Sequence, residues 1–287
     1  MTSVLIGVDG SEDSRTALRW AAVVADALRL PLRALWAWQY PTDALLTVGR
    51  IELPSPARSD ELVEAQLAHL VEEVLGDEAT DVVLEVARGP AAQALLGAAE
   101  RRPAMIVVGS RGLGGFKGLL LGSVSRQLAE HAPGPVTIVR HMAPVPPVRL
   151  ETVVAGTDGS QDAARGLRYA ADIAAKAGAE LVVAHATGTG DVVDSRAVDP
   201  QVDLDLRWER VEEWCADLRT TGVDYDVALV EGDARTALLD LARDRSADLL
   251  VVGSRGHGPV GRLLLGSVAT SLAQHSELPV TIVPAPR

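Results

Sequence analysis

Residues 107–125 read VVGSRGLGGFKGLLLGSVS, and residues 251–269 read VVGSRGHGPVGRLLLGSVA. Each copy opens on a short β-branched apolar run of the kind that forms a buried parallel strand, and closes on Gly-Ser entering a helical pattern. Between them lies a glycine-rich turn. Gly109, Gly112 and Gly122 stand at the same spacing as Gly253, Gly256 and Gly266, so this is no chance run of glycines. Glycine lets the chain turn sharply off a strand and brings backbone close to a ligand where a Cβ would obstruct it. A single glycine of this kind is more often a turn or cap residue. The duplication favours anion binding, because a loop-to-helix junction offers unpaired N–H groups and the positive end of a helix dipole. No G-x-x-x-x-G-K-[ST] occurs, and the G-x-G-x-x-G at Gly256, Gly258 and Gly261 is accidental, since Lys117 stands at its last glycine in the first copy.

Outward from this stretch the first half alternates strand and helix. A strand over 3–8 ends at Asp9-Gly10-Ser11, where Ser11 caps a helix beginning at residue 12. Strands are expected over 32–38, 81–87, 104–108 and 135–140, with helices over 60–75, 91–101 and 123–131. Residues 39–59 hold Pro41, Pro54 and Pro56 and read as a long loop. Such alternation demands crossover connections, which makes the class α/β, an open doubly wound parallel sheet. The proline-rich stretch HMAPVPPVR at 141–149 is a linker. After it the order restarts: Asp158-Gly159-Ser160 follows a first strand, and Pro279 to Val283 repeats Pro135 to Val139. Two copies of one domain are fused, over 1–142 and 149–287. Each ends in an apolar strand that would leave an open edge, so the halves are expected to pack face to face as a pseudo-twofold dimer within the chain.

In an open sheet of order 3-2-1-4-5 the ligand crevice lies beyond the carboxyl ends of strands one and four. Asp9 and Gly109 end those strands in the first half, Asp158 and Gly253 in the second. A nucleotide suits that pair, with phosphates over the loop and the carboxylate accepting from ribose hydroxyls or holding a phosphate-bound Mg²⁺. The plainer role for each aspartate is that of a turn or cap residue before Gly-Ser.

The G-x2-G-x9-G-[ST] pattern, the aspartate ending the first strand and the closing P-V-x-[IV]-V strand resemble the universal stress protein family in its tandem two-domain form. The resemblance covers nearly all of the chain outside the linker and residues 39–59 and 187–205. It implies a fold like the adenine nucleotide α-hydrolases, strand order 3-2-1-4-5 and, in members that keep the glycine motif as both copies here do, bound ATP. It would put Gly7 and Asp9 near adenine and ribose, the backbone of Ala37 on the base, and Val108, Gly109, Gly112, Gly122, Ser123, Val124 and Ser125 on ribose and phosphates. The matching positions are Gly156, Asp158, Ala186, Val252, Gly253, Gly256, Gly266, Ser267 and Val268. Ala269 stands where the first copy has Ser125, which implies sites of unequal affinity. Arg111 and Arg255 are secondary candidates for a cation over the phosphates, with a solvated loop arginine as the alternative. Trp36 and Trp38 flank Ala37, so adenine in the first site is expected to change tryptophan fluorescence.

Composition narrows the function classes. The 287 residues are 47% hydrophobic and carry a net charge of -12. Acidic residues outnumber basic ones in both halves, so a nucleic-acid partner is not expected. Cys215 is the only cysteine, which leaves no intrachain disulfide and no multi-cysteine metal site. No apolar run reaches the ~18 residues of a membrane span, and no basic flank precedes a long apolar segment at the amino terminus, so the cytoplasm is the expected location. The six histidines show no metal spacing and no paired base and nucleophile. The favoured reading is a regulatory ATP-binding protein of the stress response. The alternatives are an ATP-using enzyme, either a slow ATPase or an adenylyl or phosphoryl transferase, and an interaction module that binds no nucleotide. Further pairing into a homodimer is left open by the sequence.

Overall fold

The computed structural model describes residues 3–39, 55–114, 120–141, 149–188, 200–257 and 265–286, with backbone alone at 78–80 and 200–203. Linker residues 142–148, most of both long loops, and Lys117, Gly258 and Gly261 lie outside the described residues. The first half runs β1 (Val4–Val8), α1 (Glu12–Ala27), β2 (Leu32–Trp38), α2 (Pro56–Leu75), β3 (Val82–Arg88), α3 (Ala91–Ala99), β4 (Met105–Gly109), α4 (Ser123–His131) and β5 (Val136–Val139). The second runs β6 (Thr152–Gly156), α5 (Gln161–Ala177), β7 (Glu180–Thr187), α6 (Pro200–Trp214), β8 (Tyr225–Glu231), α7 (Ala234–Asp244), β9 (Leu249–Gly253), α8 (Ser267–His275) and β10 (Val280–Val283).

Local chemistry sets the boundaries. Ser11 and Ser160 accept from the amides of Ser14 and Ala163 and so cap α1 and α5. Along α1 the residues Ala17, Leu18, Ala21, Val24 and Ala25 recur at helical spacing and are buried. Helix α2 starts four residues before the expected Asp60, inside the stretch read as loop. Pro56 there occupies the first turn behind the cap of Ser55, where its fixed φ suits a helix and its missing N–H costs nothing. Helix α6 likewise opens on a proline, Pro200, inside the second stretch read as loop.

The ten strands form one sheet in the order β3-β2-β1-β4-β5-β10-β9-β6-β7-β8. Within each half the order is that of the doubly wound class and every pairing is parallel. The halves meet at an antiparallel pairing of β5 with β10. This corrects the face-to-face expectation: the two apolar edges close on one another, edge to edge, which supplies the backbone partners that each would otherwise lack. Thr137 pairs with Thr281 at the centre of the register, fully buried, and their hydroxyl oxygens lie 2.7 Å apart. One hydroxyl donates to the other across the pseudo-twofold, and the Met105 sulfur, 3.7 Å from Thr137 Oγ1, can accept the remaining proton.

One consequence is that the cores divide by face of the sheet and not by half. Val4, Ile6, Trp20, Val107, Val153, Ile173 and Val251 belong to one cluster, beneath α1, α2 and α5. Leu5, Leu95, Ile106, Leu128, Val154, Leu238 and Leu272 belong to the other, beneath α3, α4, α7 and α8. Tyr169 of α5 also reaches across the halves, its hydroxyl donating to the carbonyl of Ala104 at 3.3 Å.

On the outer pair of the sheet, Arg33 of β2 is 8% exposed and donates through Nε and a terminal nitrogen to both oxygens of Glu85 on β3, at 2.6 and 2.8 Å. The Arg33 hydrogen bond, working against burial and aided by Arg101, holds the Glu85 carboxyl below its ordinary value of 4.5. A carboxyl depressed by folding stabilises the chain fully above its unfolded pKa and loses that contribution as pH falls through the folded one. Glu85→Gln is therefore expected to cost about 2 kcal/mol near neutrality, since it leaves a buried guanidinium without its anion. The loss should shrink below a pH of about 4.5. Urea melts of both proteins across the acid range check this, and a difference that stayed constant with pH would contradict it.

Candidate functional site

Two equivalent crevices open at the carboxyl ends of β1 with β4 and of β6 with β9. Their construction starts from Asp9, whose Oδ1 accepts from the amide and hydroxyl of Ser11 at 3.0 and 2.6 Å while Oδ2 accepts from the amide of Leu113 at 3.0 Å. Asp158 does the same with the amides of Ser160 and His257, both at 3.0 Å. Burial pushes the Asp158 carboxyl up, but the Ser160 hydroxyl and amide and the His257 amide outweigh it and the balance lies below the ordinary value. Each aspartate thus ties the glycine loop to the end of the first strand. A Cβ on Gly112 or Gly256 would collide with the carboxylate of Asp9 or Asp158, so these two glycines answer to the aspartate beside them.

A second carboxylate in each half escapes a reading of glycines alone. Asp13 in the first turn of α1 is 5% exposed, and its Oδ2 accepts from the Ser110 hydroxyl at 2.6 Å and the Arg111 amide at 2.9 Å. Asp162 accepts from the Ser254 hydroxyl at 2.8 Å and from Arg255 Nε at 3.1 Å. The signal was present, for Asp9-Gly10-Ser11-Glu12-Asp13 and Asp158-Gly159-Ser160-Gln161-Asp162 repeat both acids in register. Gly109 and Gly253 are glycine because the same helix turns lie against them: an added Cβ would sit 2.8 Å from the Asp13 carbonyl carbon or 2.5 Å from that of Asp162.

The loop then delivers its helix. The Gly122 amide donates to the Ser110 carbonyl at 2.8 Å and the Gly266 amide to that of Ser254 at 2.8 Å. Gly122 and Gly266 occupy the N-cap positions of α4 and α8, and neither helix has a side-chain cap. The first-turn amides that Ser11 and Ser160 satisfy elsewhere are left to the crevice here. The first crevice, of about 570 Å³, is lined by Gly7, Asp9, Ala37, Val108, Gly109, Arg111, Gly112, Gly122, Ser123, Val124 and Ser125. The second, of about 410 Å³, is lined by Gly156, Asp158, Ala186, Val252, Gly253, Arg255, Gly256, Gly266, Ser267, Val268 and Ala269. Every residue that the sequence proposed as a nucleotide contact lines one of the two clefts. Sequence reasoning missed Leu95 and Leu238, which wall the clefts. Their methyl groups would meet a Cβ on Gly7 or Gly156 at 2.7 or 2.9 Å.

Three expectations change. Ser125 is 2% exposed and its hydroxyl lies 2.9 Å from the Ser110 carbonyl and 3.0 Å from that of Gly122, so it braces the loop from inside. Thr270 performs the second of these contacts in the other half, its hydroxyl donating to Gly266 at 2.8 Å, and Ala269 therefore removes less than expected. Trp36 and Trp38 do not line the cleft. Alternation along β2 turns both away from the face of Ala37: Trp36 packs on the core of the α1 side, and Trp38 Nε1 donates to Asp60 at 2.9 Å. The fluorescence change is therefore not expected. Arg111 Nε lies 3.9 Å from Asp13 and Arg255 Nε 3.1 Å from Asp162. Both side chains remain over two-fifths exposed at the mouth of their cleft.

The model of the universal stress protein family matches the chain twice, over residues 1–140 and 150–284. A universal stress protein of Mycobacterium tuberculosis is 30% identical over 99% of this chain and 95% of its own length. One from Mycolicibacterium smegmatis is 31% identical over 98% and 96%. Among solved structures, a universal stress protein from Archaeoglobus fulgidus superimposes with a TM-score of 0.65 at 25% identity, covering 98% of both chains. Family model, full-length relatives and fold agree, and the chain belongs to the universal stress protein family.

Proposed function

We propose that each crevice binds ATP, that residues 1–142 and 149–287 are the two nucleotide-binding units, and that occupancy regulates a cytoplasmic stress response. The observation that carries this reading is the duplicated cleft in which uncapped helix amides and an arginine face an apolar slot. Phosphate oxygens match the amides of α4 and α8, and the positive end of each helix favours their charge. Arg111 and Arg255 reach the same mouth, Arg111 3.9 Å from Asp13 and Arg255 bonded to Asp162, and either guanidinium keeps further N–H donors for a phosphate. The base would lie beside the backbone of Ala37 or Ala186, between Leu95 or Leu238 and the strand ends. Both volumes fall in the range usual for small-molecule sites. Mg²⁺ would arrive on the triphosphate, because Asp9 and Asp158 turn their oxygens to loop amides and no metal-sized cluster of His, Cys, Asp and Glu occurs among the described residues. Among the described residues neither cleft pairs a histidine base with a nucleophile, so the chain's residues would bind and orient the nucleotide, and hydrolysis would be slow.

The test is chromatography of whatever nucleotide the purified protein releases on denaturation, followed by calorimetric titration of stripped protein with ATP. Two ATP per chain are expected. Protein that carries no nucleotide and gives no binding heat with ATP would overturn the reading.

A further inference from the structure

Arg140 follows β5 in the first half, yet its guanidinium belongs to both halves. Its Nε donates to the Ser276 carbonyl at 3.2 Å and a terminal nitrogen donates to the Gln274 carbonyl, both at the carboxyl end of α8. The same nitrogen lies 3.3 Å from the carbonyl of Leu120, two residues before Gly122 in the first glycine loop. The next residue is held too: the His141 amide donates to Asp13 Oδ1 at 3.3 Å, and the other oxygen of Asp13 secures Ser110 and Arg111. One short segment therefore grips the loop of the first crevice while its guanidinium caps the helix whose opposite end forms the second. Helix α8 has nine residues, about 13 Å, so its two ends lie close enough to respond together. The pseudo-symmetric position is Pro284, which cannot repeat the contact.

We infer that the two nucleotide sites are coupled, with Arg140 as the positioning residue that links them. This rests on the proposed ATP reading. A phosphate on the amides of α8 and a guanidinium on its last carbonyls complement the two ends of one helix dipole. Both favour the same placement of that helix. Phosphate in the first crevice would draw on Arg111 and on the loop that carries Leu120. Arg111 opposes the charge of Arg140, whose pKa is lowered by burial first and by Arg111 second, against the pull of Asp13 and Glu277. Drawing Arg111 onto phosphate relieves that repulsion and sets Leu120 against the guanidinium. Arg140 is then seated more firmly on α8. Filling the first site should therefore tighten the second, and by linkage the second should tighten the first by the same factor.

The experiment reads each site separately, through the methyl resonances of Val124 and Val268, which line the two clefts. Ala37→Trp fills the base end of the first cleft, away from Arg140, and leaves the second to be titrated with ATP alone. In otherwise native protein the second site is expected to bind about five-fold or more tightly when the first is filled than in the Ala37→Trp protein. That gap should collapse in Arg140→Met, and Arg140→Lys, which keeps the charge but not the fork, should restore part of it. ATP at both clefts with equal second-site affinity whether the first is filled or blocked would overturn the coupling. A gap that survives Arg140→Met would overturn the role of Arg140. Absence of ATP from both clefts of the native protein would instead sink the nucleotide reading itself.

Discussion

Gly253→Ala is expected to lower the stability of the chain by about 3 kcal/mol, at the upper end of what an overpacked methyl costs. The new Cβ would stand 2.5 Å from the Asp162 carbonyl carbon, 2.6 Å from its oxygen and 2.7 Å from the Ala163 nitrogen. All three atoms are backbone, in the first turn of a helix fixed by Ser160 at its cap and by buried Ala163, Leu167 and Ala170 along its face. A flexible side chain could step aside; this turn can move only by tilting α5 off β9. Gly97→Ala supplies the contrast, because it lies in α3 where an added Cβ meets nothing within 4 Å. That change should stabilise by about 0.5 to 1 kcal/mol through helix propensity. Denaturant melts of the two single variants are the check, and equal midpoints would mean that helix and strand are not in the close approach described.

This pair of glycines shows what was legible in the sequence. The positions of Gly109 and Gly253 marked the ends of the fourth strands and the mouths of the clefts. The reason for the residue type was not legible, because it lies in a backbone many residues away in sequence that only the fold brings there. Close approach to a ligand and close approach to a helix leave the same glycine in the sequence. Gly112 and Gly256 make the same point with Asp9 and Asp158. The alternation of elements gave the doubly wound class, since crossover connections constrain it strongly. How the halves meet was not given by that alternation. Apolar last strands state that an edge must be covered, but whether by a face or by another edge depends on twist and on the Thr137–Thr281 pair, neither of which a hydrophobic pattern records. Helix starts were lost where Pro56 and Pro200 read as loop, the same residue type serving a loop and a first turn equally well.

Gly122→Val and Gly266→Val are each expected to take ATP stoichiometry from two per chain to one. At Gly122 the added Cβ would lie 3.1 Å from the Ser110 carbonyl oxygen and 3.3 Å from Arg111 Cα, and at Gly266 it would lie 3.3 Å from Arg255 Cα and from the Ser254 carbonyl oxygen. These contacts are tight enough to displace the loop by a few tenths of an ångström, and valine adds two further methyl groups at the entrance to the helix amides. The Gly122 and Gly266 amides must also keep their bonds to Ser110 and Ser254 if the loop is to hold its turn. The cost to folding should stay near 1 to 2 kcal/mol, because the glycine itself closes no core and the loop can shift outward. Gly134→Val is the control, a position before β5 where an added Cβ meets nothing within 4 Å, and it should leave both sites intact. Ala269→Ser, which restores a hydroxyl facing the inside of the loop, should change second-site affinity by less than about two-fold, since an internal contact adds nothing that distinguishes bound from free. Calorimetry alongside circular dichroism decides the matter. A folded Gly122→Val protein that still took up two ATP would place the phosphates away from α4, and the glycine loops would then be architecture alone.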